Sequence, residues 1–199
     1  MKLILCSQRV DYISNYGETR DCLDEKWTEL MNICGFTTIP IPNSKNNTKE
    51  LLKLKEISGI LLTGGNSICT YENGFPQKDE NERVLIEYAV KNNIPLLGVC
   101  RGMQSILDYY GVKLIKKDGH VRTTHSIDFG YGLTEINSFH EYCSIDIPQN
   151  FNGIKIEDDT YEIIFHKNRK ITGIMWHPER YFEFRSCDIK LIKKSFGEN

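Results

Sequence analysis

One short segment constrains the fold of this chain more than any other. Ile94 to Val99 is a mostly apolar run that predicts a buried strand, and Cys100 follows it directly. After Cys100 the apolar positions recur with helical spacing until Gly111, a residue typical of a helix end. Such a strand–turn–helix junction is one way in which an α/β sheet presents a nucleophile. The segment therefore predicts a parallel α/β architecture with Cys100 at the carboxyl end of a strand.

The rest of the first half repeats this alternation of strand and helix, which favours a parallel sheet covered on both faces. Predicted strands are Leu3–Ser7, Thr37–Pro42 (near an edge, because of its prolines) and Ile57–Thr63. Predicted helices are 20–34, 49–56 and one that begins at Asp79. Glu82 stands three residues after Asp79, and this spacing predicts a capping box.

Beyond residue 112 the pattern changes to short alternating stretches, which predict antiparallel hairpins added to the sheet. They are Lys113–Ile115, Leu133–Ile136, Ser144–Ile147, Ile154–Ile156, Glu162–Phe165 and Ile171–Trp176, followed by a final helix over 186–196. The predicted fold is a three-layer, flavodoxin-like, mostly parallel α/β sheet with helices on both faces and added antiparallel strands in the C-terminal half. At 199 residues we expect one domain, 1–199.

Composition narrows the range of partners and compartments. The formal net charge of −2 gives no basic field for nucleic acid or an anionic membrane, and no apolar run has the length of a membrane span. Seven cysteines without regular spacing predict neither a disulfide framework nor a zinc site and favour a reducing, cytoplasmic setting. The spacing of His120, His125 and His140 matches no ligand pattern, so we expect polar loop histidines, no metal site and no cofactor.

Cys100 is the candidate nucleophile, because a helix N-terminus favours its thiolate. The backbone N–H of Arg101 belongs to the first helical turn and can stabilise an oxyanion, while Gly64-Gly65 ends a neighbouring strand and can supply a second donor. His177 precedes a proline, which favours an extended backbone and brings Glu179 to the same side. The pair suits a general base and the carboxylate that orients it.

Three of these segments, taken together, resemble the motifs of the class I glutamine amidotransferase superfamily. They are Leu62-Thr-Gly-Gly65, Gly98-Val-Cys-Arg-Gly-Met-Gln104 and Met175-Trp-His-Pro-Glu179, and Asn137-Ser-Phe-His140 is similar to the segment that meets the glutamyl group there. The resemblance implies a Cys-His-Glu hydrolase that forms a thioester on a γ-glutamyl carbonyl. It implies catalytic roles for Cys100, His177 and Glu179, oxyanion donors at Gly65 and Arg101, a glutamyl contact at Gln104, and backbone contacts to the substrate at Ser138 and Phe139.

The motif Cys-Arg-Gly-Met-Gln, with an arginine after the cysteine, resembles that of the γ-glutamyl hydrolase branch. This branch includes enzymes that act on γ-glutamyl-γ-aminobutyrate. Ser7–Val10 and Tyr16–Asp21 are similar to hydrolases that release glutamate from a γ-glutamyl group on the phosphoramidate nitrogen of a cytidine diphosphate, in capsule polysaccharide modification. A pyrophosphate requires cations. The candidates are Arg9, Arg20, Arg101 and Arg122, and for Arg9, Arg20 and Arg122 a solvated side chain or a structural ion pair explains the residue equally well.

Two other functions stay open at this point. A glutaminase subunit would supply ammonia to a separate synthetase, for which 199 residues leave no room within the chain. A thiol sensor on the same fold would use Cys100 alone, although a sensor does not require the oriented base that His177 and Glu179 provide. The identity of the leaving amine and the oligomeric state are left open.

Overall fold

The computed structural model describes residues 2–54 and 56–198. Its strands are β1 (Lys2–Cys6), β2 (Arg9–Ile13), β3 (Glu18–Cys22), β4 (Phe36–Pro40), β5 (Ile57–Leu62), β6 (Leu96–Val99), β7 (Ile115–Lys116), β8 (Val121–Asp128), β9 (Leu133–Phe139), β10 (Tyr142–Cys143), β11 (Phe151–Lys155), β12 (Tyr161–His166) and β13 (Ile171–Ile174). Its helices are α1 (Glu25–Ile33), α2 (Lys45–Leu51), α3 (Pro76–Asn92), α4 (Arg101–Tyr109) and α5 (Ser186–Ser195), with a 3₁₀ turn at Pro178–Arg180.

A seven-stranded sheet forms the centre of the molecule, in the order β11-β12-β13-β6-β5-β1-β4. The pairs from β13 to β4 are parallel, and β12 and β11 extend the sheet antiparallel. This confirms the predicted fold class, and β4 is the edge strand that its prolines indicated. Parallel strands buried on both faces read as continuous apolar runs, as β5 and β6 do.

Two apolar cores lie on the two faces of this sheet. On one face, residues of α1 and α5 such as Trp27, Leu30 and Leu191 pack against the strands. On the other, α3 and α4 contribute Leu85, Ile106 and their neighbours. The predicted three-layer arrangement is therefore confirmed. Among the described residues, none of the helices combines the length and the apolar character that crossing a membrane requires.

The first correction concerns residues 9–22. The prediction of a helix from Arg20 is wrong, because β2 and β3 form an antiparallel hairpin there and α1 begins only at Glu25. The helical spacing after residue 23 is real, but Asp24 caps the helix by accepting a hydrogen bond from the Lys26 N–H, which sets its start. We call residues 9–22 the N-terminal hairpin.

The second correction concerns α3. The helix begins at Pro76, one turn before the predicted start, and its N-cap residue Phe75 makes no side-chain capping bond. The capping box at Asp79 and Glu82 is therefore wrong. Both carboxylates instead bind the side chain of Arg101. Proline at the first helical position explains the earlier start, since its missing N–H is not needed there.

Smaller differences occur elsewhere. The helix predicted over 49–56 lies at Lys45–Leu51, capped by Ser44, and residue 55 of the prediction lies outside the described residues. The strand predicted at Ser144–Ile147 is absent from the described secondary structure, where β10 covers Tyr142–Cys143 instead. The sequence pattern did not indicate β8, which alternates exposed and partly exposed residues and pairs with β9 outside the central sheet. Finally, β13 was predicted to lie in a hairpin and also runs parallel to β6 inside the main sheet.

Candidate active site

Three adjacent parallel strands end at one edge of the central sheet and bring the predicted motifs together. Thr63 and Gly64 follow β5, Cys100 follows β6, and β13 leads through Met175 and Trp176 to His177. Because β5, β6 and β13 are neighbours, their carboxyl ends are only a strand spacing apart. Ligands of open α/β sheets bind at this edge.

Cys100 sits in a strained turn between β6 and α4. Its backbone has φ 52° and ψ −108°, a region that costs a non-glycine residue about 1–3 kcal/mol. The turn is fixed on both sides: the Cys100 N–H donates to the Ile174 carbonyl (2.7 Å), and the Cys100 carbonyl accepts from the Gln104 N–H (3.0 Å). The residue is only 6% exposed. Such stored strain is typical of a residue that must be presented to a substrate.

The glycines around Cys100 allow close packing of the helix on the sheet. A Cβ placed on Gly102 would lie 2.2 Å from the Leu62 carbonyl oxygen, and one on Gly98 would lie 2.5 Å from the Gly102 oxygen. Neither position can hold a larger residue without moving backbone. The glycines flanking the cysteine in this motif therefore have a packing reason, which is the approach of α4 to β5 and β6.

His177 and Glu179 form a buried pair beside Cys100. His177 is extended (φ −108°, ψ 92°), as its following proline predicted, and its Nδ1 lies 2.6 Å from the Glu179 Oε1. The predicted contact is present, although Glu179 reaches it from the 3₁₀ turn rather than from an extended strand. Burial opposes a charge on the imidazole, but the Cys100 side chain and then Glu179 outweigh it and raise the pKa of His177 to about 9. The His177 imidazole is therefore protonated at neutral pH.

Asn137 fixes the backbone of His177, a role that the sequence did not reveal. Its amide Nδ2 donates to the His177 carbonyl (2.9 Å) and its Oδ1 accepts from the His177 N–H (2.8 Å). The Asn137 N–H in turn donates to the Tyr181 hydroxyl (2.9 Å). The signal was present, because Asn137 lies in one of the quoted segments, but side-chain partners on a distant strand cannot be read from local spacing.

Gly65 and Arg101, the predicted backbone donors, both lie at the edge of the cleft. Gly65 has φ 89°, and a Cβ on the preceding Gly64 would lie 2.6 Å from the His177 ring, so this loop packs directly on the histidine. Arg101 is the first residue of α4, whose N–H belongs to the unpaired first turn. Both residues line the same cleft as Cys100 and His177.

The far wall of this cleft is built from Gln104, Phe139 and Tyr142. The Gln104 Nε2 donates to the Tyr142 carbonyl (2.9 Å), and the Phe139 ring stands edge-on to His177 with centroids 5.9 Å apart. Ser138, by contrast, is fully buried and directs its hydroxyl away from the cleft, to the His120 carbonyl (2.7 Å). Of the two predicted contacts at this segment, only Phe139 lines the cleft.

The side chain of Arg101 faces the protein interior and not the cleft. It is 2% exposed, and its guanidinium binds the carboxylates of Glu82 and Asp79 and the Ser105 hydroxyl. Glu82 also binds Lys78, which is itself fully buried. The sequence left open whether the Arg101 side chain contacts a leaving group, and its ion pairs with Glu82 and Asp79 turn the guanidinium away from the cleft. We call this set of charges beneath Cys100 the elbow network.

The other three candidate arginines differ in whether they line the groove beside the cleft. Arg9 lines a groove that continues from the cleft past Gly65 and His177, with its guanidinium also bound to Asp11 (2.6 Å). Arg20 binds Glu18 on the exposed part of the N-terminal hairpin and lines neither the cleft nor the groove. Arg122, at the start of β8, is exposed and also lies outside both sets of lining residues.

Arg180, which the sequence reasoning missed, lines both the cleft and the groove. Its guanidinium lies 4.5 Å from the Phe139 ring centroid and its Nε 3.8 Å from the Glu179 Oε1. It follows His177-Pro-Glu179 directly in the sequence, so its proximity to the site could have been expected. Arg9 and Arg180 therefore place two cations along the groove that leads away from Cys100.

The three histidines predicted as polar loop residues form a cluster next to the cleft, and His140 lines it. His120 and His140 are 1% and 4% exposed, so that prediction is wrong for these two, while His125 is partly exposed. Ligand atoms of His120, His140 and Cys143 lie within 4.8 Å of one another. Burial lowers the pKa of His140 to about 3 and raises that of the adjacent Glu162 to about 8. These are the side chains that could hold a metal ion.

Comparison with known proteins agrees with this geometry. The model of the family glutamine amidotransferase class-I matches residues 21–194. The γ-glutamyl-CDP-amidate hydrolase of Campylobacter jejuni is 31% identical over 96% of both chains. The carbamoyl phosphate synthase small chain of Helicobacter pylori is 29% identical over 87% of this chain and 45% of its own. A solved structure from Thermoplasma acidophilum, provisionally identified as one subunit of a GMP synthase, superposes with a TM-score of 0.74 at 19% identity, over 99% of this chain and 93% of that one.

Proposed function

The chain belongs to the class I glutamine amidotransferase family of amide-bond hydrolases, and from that premise we propose that it is a cysteine-dependent γ-glutamyl hydrolase. One observation carries the proposal: Cys100, in its strained turn, lines one cleft with His177, and the Nδ1 of His177 lies 2.6 Å from the buried Glu179 carboxylate. Nucleophile, base and orienting carboxylate are the three parts that acyl transfer requires.

In the proposed reaction His177 takes the thiol proton of Cys100, and the sulfur attacks the γ-carbonyl carbon to form a tetrahedral oxyanion. The backbone N–H groups of Gly65 and Arg101 stabilise that oxyanion. As the C–N bond breaks, His177 donates its proton to the leaving nitrogen, and a γ-glutamyl thioester remains on Cys100. Water then attacks the thioester, His177 takes the proton from it, and glutamate is released with the cysteine regenerated.

Gln104 is the proposed contact for the glutamyl group, since it lies one helical turn beyond Cys100 and lines the cleft. Its amide is held by the Tyr142 carbonyl, which leaves the side-chain oxygen to accept from the ammonium of the substrate. Phe139 provides an apolar surface beside it. These residues address the half of the substrate that all γ-glutamyl compounds share.

For the leaving half, we propose a nucleotide-linked amide, with γ-glutamyl-CDP-amidate as the substrate and cytidine diphosphoramidate as the product. The 31% identity over nearly the whole chain supports this, together with the cationic groove of Arg9 and Arg180. A pyrophosphate in the groove would pair with both guanidinium groups. The role would then lie in capsule polysaccharide modification, in the cytoplasm.

The test is glutamate release from glutamine, γ-glutamyl-γ-aminobutyrate and γ-glutamyl-CDP-amidate at equal concentration. We expect the highest kcat/KM for the nucleotide amidate. A higher value for γ-glutamyl-γ-aminobutyrate would contradict the proposed leaving group but not the reaction. Absence of glutamate release from all three would contradict both.

A glutaminase subunit is the second candidate, favoured by the similarity to a carbamoyl phosphate synthase small chain. It predicts negligible glutamine turnover by the isolated protein and an increase when a synthetase partner is added. We expect instead that turnover of the nucleotide amidate needs no partner. Copurification from the native source, followed by both assays, separates the two.

A further inference from the structure

A second set of buried polar side chains, which the proposed reaction does not use, lies next to the cleft and reaches it at His140. His120, His140 and Glu162 are 1%, 4% and 0% exposed and come from three separate segments: the residue before β8, the residue after β9, and β12. Both carboxylate oxygens of Glu162 and the Nδ1 of His120 have no hydrogen-bond partner among residues 2–54 and 56–198. Leaving such groups unpaired is costly, so each requires an explanation.

Each histidine is already held by one of its ring nitrogens. The Nε2 of His120 lies 2.7 Å from the Asp158 Oδ2, and the Nδ1 of His140 lies 3.2 Å from the Tyr142 carbonyl oxygen. Because Asp158 is an acceptor, the Nε2 of His120 carries the proton and its Nδ1 keeps a lone pair. His140 presents a lone pair in the same way in the tautomer that donates from Nδ1 to Tyr142, with its Nε2 3.0 Å from the Ser138 hydroxyl. Metal-binding histidines show this pattern, in which a carboxylate or a carbonyl fixes the tautomer from behind.

The second ring nitrogen of each histidine lies near the same carboxylate oxygen. The Glu162 Oε1 lies 3.8 Å from the His120 Nδ1 and 3.7 Å from the His140 Nε2. These separations are too long for hydrogen bonds. They are close to the roughly 3.4 Å between neighbouring ligand atoms around a tetrahedral zinc ion with bonds of about 2.05 Å. The Glu162 carboxylate therefore lies at about the ligand-to-ligand separation from both ring nitrogens.

We propose that His120, His140 and Glu162 form a binding site for a divalent transition metal, zinc being the ion that this ligand set suits best. Two imidazoles and one carboxylate are a known zinc ligand set. Cys143 is close, with its sulfur 3.5 Å from the His140 Nδ1, but that nitrogen donates to the Tyr142 carbonyl. The proposed site therefore uses Glu162 and the other nitrogen of His140.

The proposed metal site would link two parts of the fold, the β8–β9 hairpin and the central sheet. His140 follows β9, which carries Phe139 to the cleft, while β12 belongs to the central sheet. Ser138 already connects the two histidines, because its hydroxyl donates to the His120 carbonyl and lies 3.0 Å from the His140 Nε2. A metal ion here would fix the β8–β9 hairpin, and with it the wall of the cleft, to the sheet.

The experiment must distinguish this site from Cys100 and His177, which can bind zinc themselves. It therefore uses the full-length chain carrying Cys100→Ala, after treatment with a chelator. Co²⁺ is titrated in while its visible d–d absorption is recorded, and Zn²⁺ binding is counted by native mass spectrometry. We expect one equivalent of either ion, and a rise in the melting temperature with Zn²⁺.

In the same background, Glu162→Gln should weaken Co²⁺ affinity by at least about 10²-fold, and Asp158→Asn by about 10- to 100-fold. Glu157→Gln, an exposed neighbour on the same segment, should leave it unchanged. If Glu162→Gln does not fold, His120→Gln replaces it. Three results would overturn the proposal: no metal bound in Cys100→Ala, binding unaffected by Glu162→Gln, or binding lost in Cys143→Ser while Glu162→Gln retains it.

Discussion

The two sides of Cys100 are built in different ways. On the helix side, Arg101 and Glu82 are buried to 2% and 1% side-chain exposure and bind each other within the elbow network. On the groove side, Arg9 and Arg180 keep 50% and 39% of their side chains exposed. Their acidic partners, Asp11 and Glu179, do not enclose them. On the helix side the arginine stabilises the fold, whereas on the groove side the two arginines remain available to a ligand.

This difference indicates how substrate recognition is divided. A buried, fully charged network has few alternative arrangements, so the turn at Cys100 and the position of Gln104 are set before substrate binds. Exposed arginines on a hairpin and a loop can adapt to the group they meet. We therefore expect the glutamyl half of the reaction to be insensitive to changes in the groove, and the choice of leaving group to depend on them.

The largest effect should follow removal of the nucleophile. Cys100→Ala should lower kcat for glutamate release by at least about 10⁴-fold, because no thioester can form. Circular dichroism and the melting temperature should stay close to wild type. The matched control is Cys69→Ala, an exposed cysteine. If Cys100→Ala keeps glutamate release within about 10-fold of wild type, Cys100 is not the nucleophile.

Breaking the elbow network should act on stability. Glu82→Gln leaves Arg101 and Lys78 buried with too little negative charge, which costs about 3–5 kcal/mol of unfolding free energy. Urea denaturation measures this directly. Glu80→Gln, on the exposed face of the same helix, should change stability by less than about 0.5 kcal/mol. Equal unfolding free energies for the two variants would show that the elbow network does not stabilise the fold.

Glu179→Gln should reduce kcat by about 10²-fold and change its pH dependence. Burial opposes the imidazolium, but Cys100 and Glu179 raise the pKa of His177 to about 9. The protonated form that donates to the leaving nitrogen therefore persists up to that pH, and activity should decline as pH rises through it. Removing the charge of Glu179 should move this decline to lower pH. An unmoved basic limb would show that Glu179 does not act on His177.

The smallest and most selective effect is expected in the groove. Arg180→Ala and Arg9→Ala should each raise KM for γ-glutamyl-CDP-amidate by about 10-fold and leave kcat/KM for glutamine within a factor of about two. Arg20→Ala, on the same hairpin as Arg9 but paired with Glu18, should change neither. A uniform loss on both substrates would mean that the groove supports the catalytic residues rather than the leaving group.

The sequence predicts correctly those segments whose structure depends on neighbouring residues in the chain. The run from β6 into Cys100 and α4 combines an apolar strand, a helix and two glycines whose packing the structure explains. The extended backbone of His177 likewise follows from the preference before proline, whereas Glu179 reaches the imidazole from a 3₁₀ turn that the spacing did not predict.

What the sequence did not reveal depends on partners far along the chain. Asp79 and Glu82 have the spacing of a helix cap, but a guanidinium from α4 binds both. Asn137 binds a histidine 40 residues away. The N-terminal hairpin was missed because β2 and β3 pair outside the central sheet and lack the alternation of a half-buried strand.

The most direct test of the central claim is the mass of the protein during turnover. Wild-type protein mixed with γ-glutamyl-CDP-amidate and quenched in acid should gain the mass of one γ-glutamyl group. Fragmentation should locate that group on Cys100. The same experiment with Cys100→Ala should show no added mass. A glutamyl adduct on another residue, or glutamate release in the wild type without any adduct at Cys100 even when quenched before the first turnover is complete, would contradict the account.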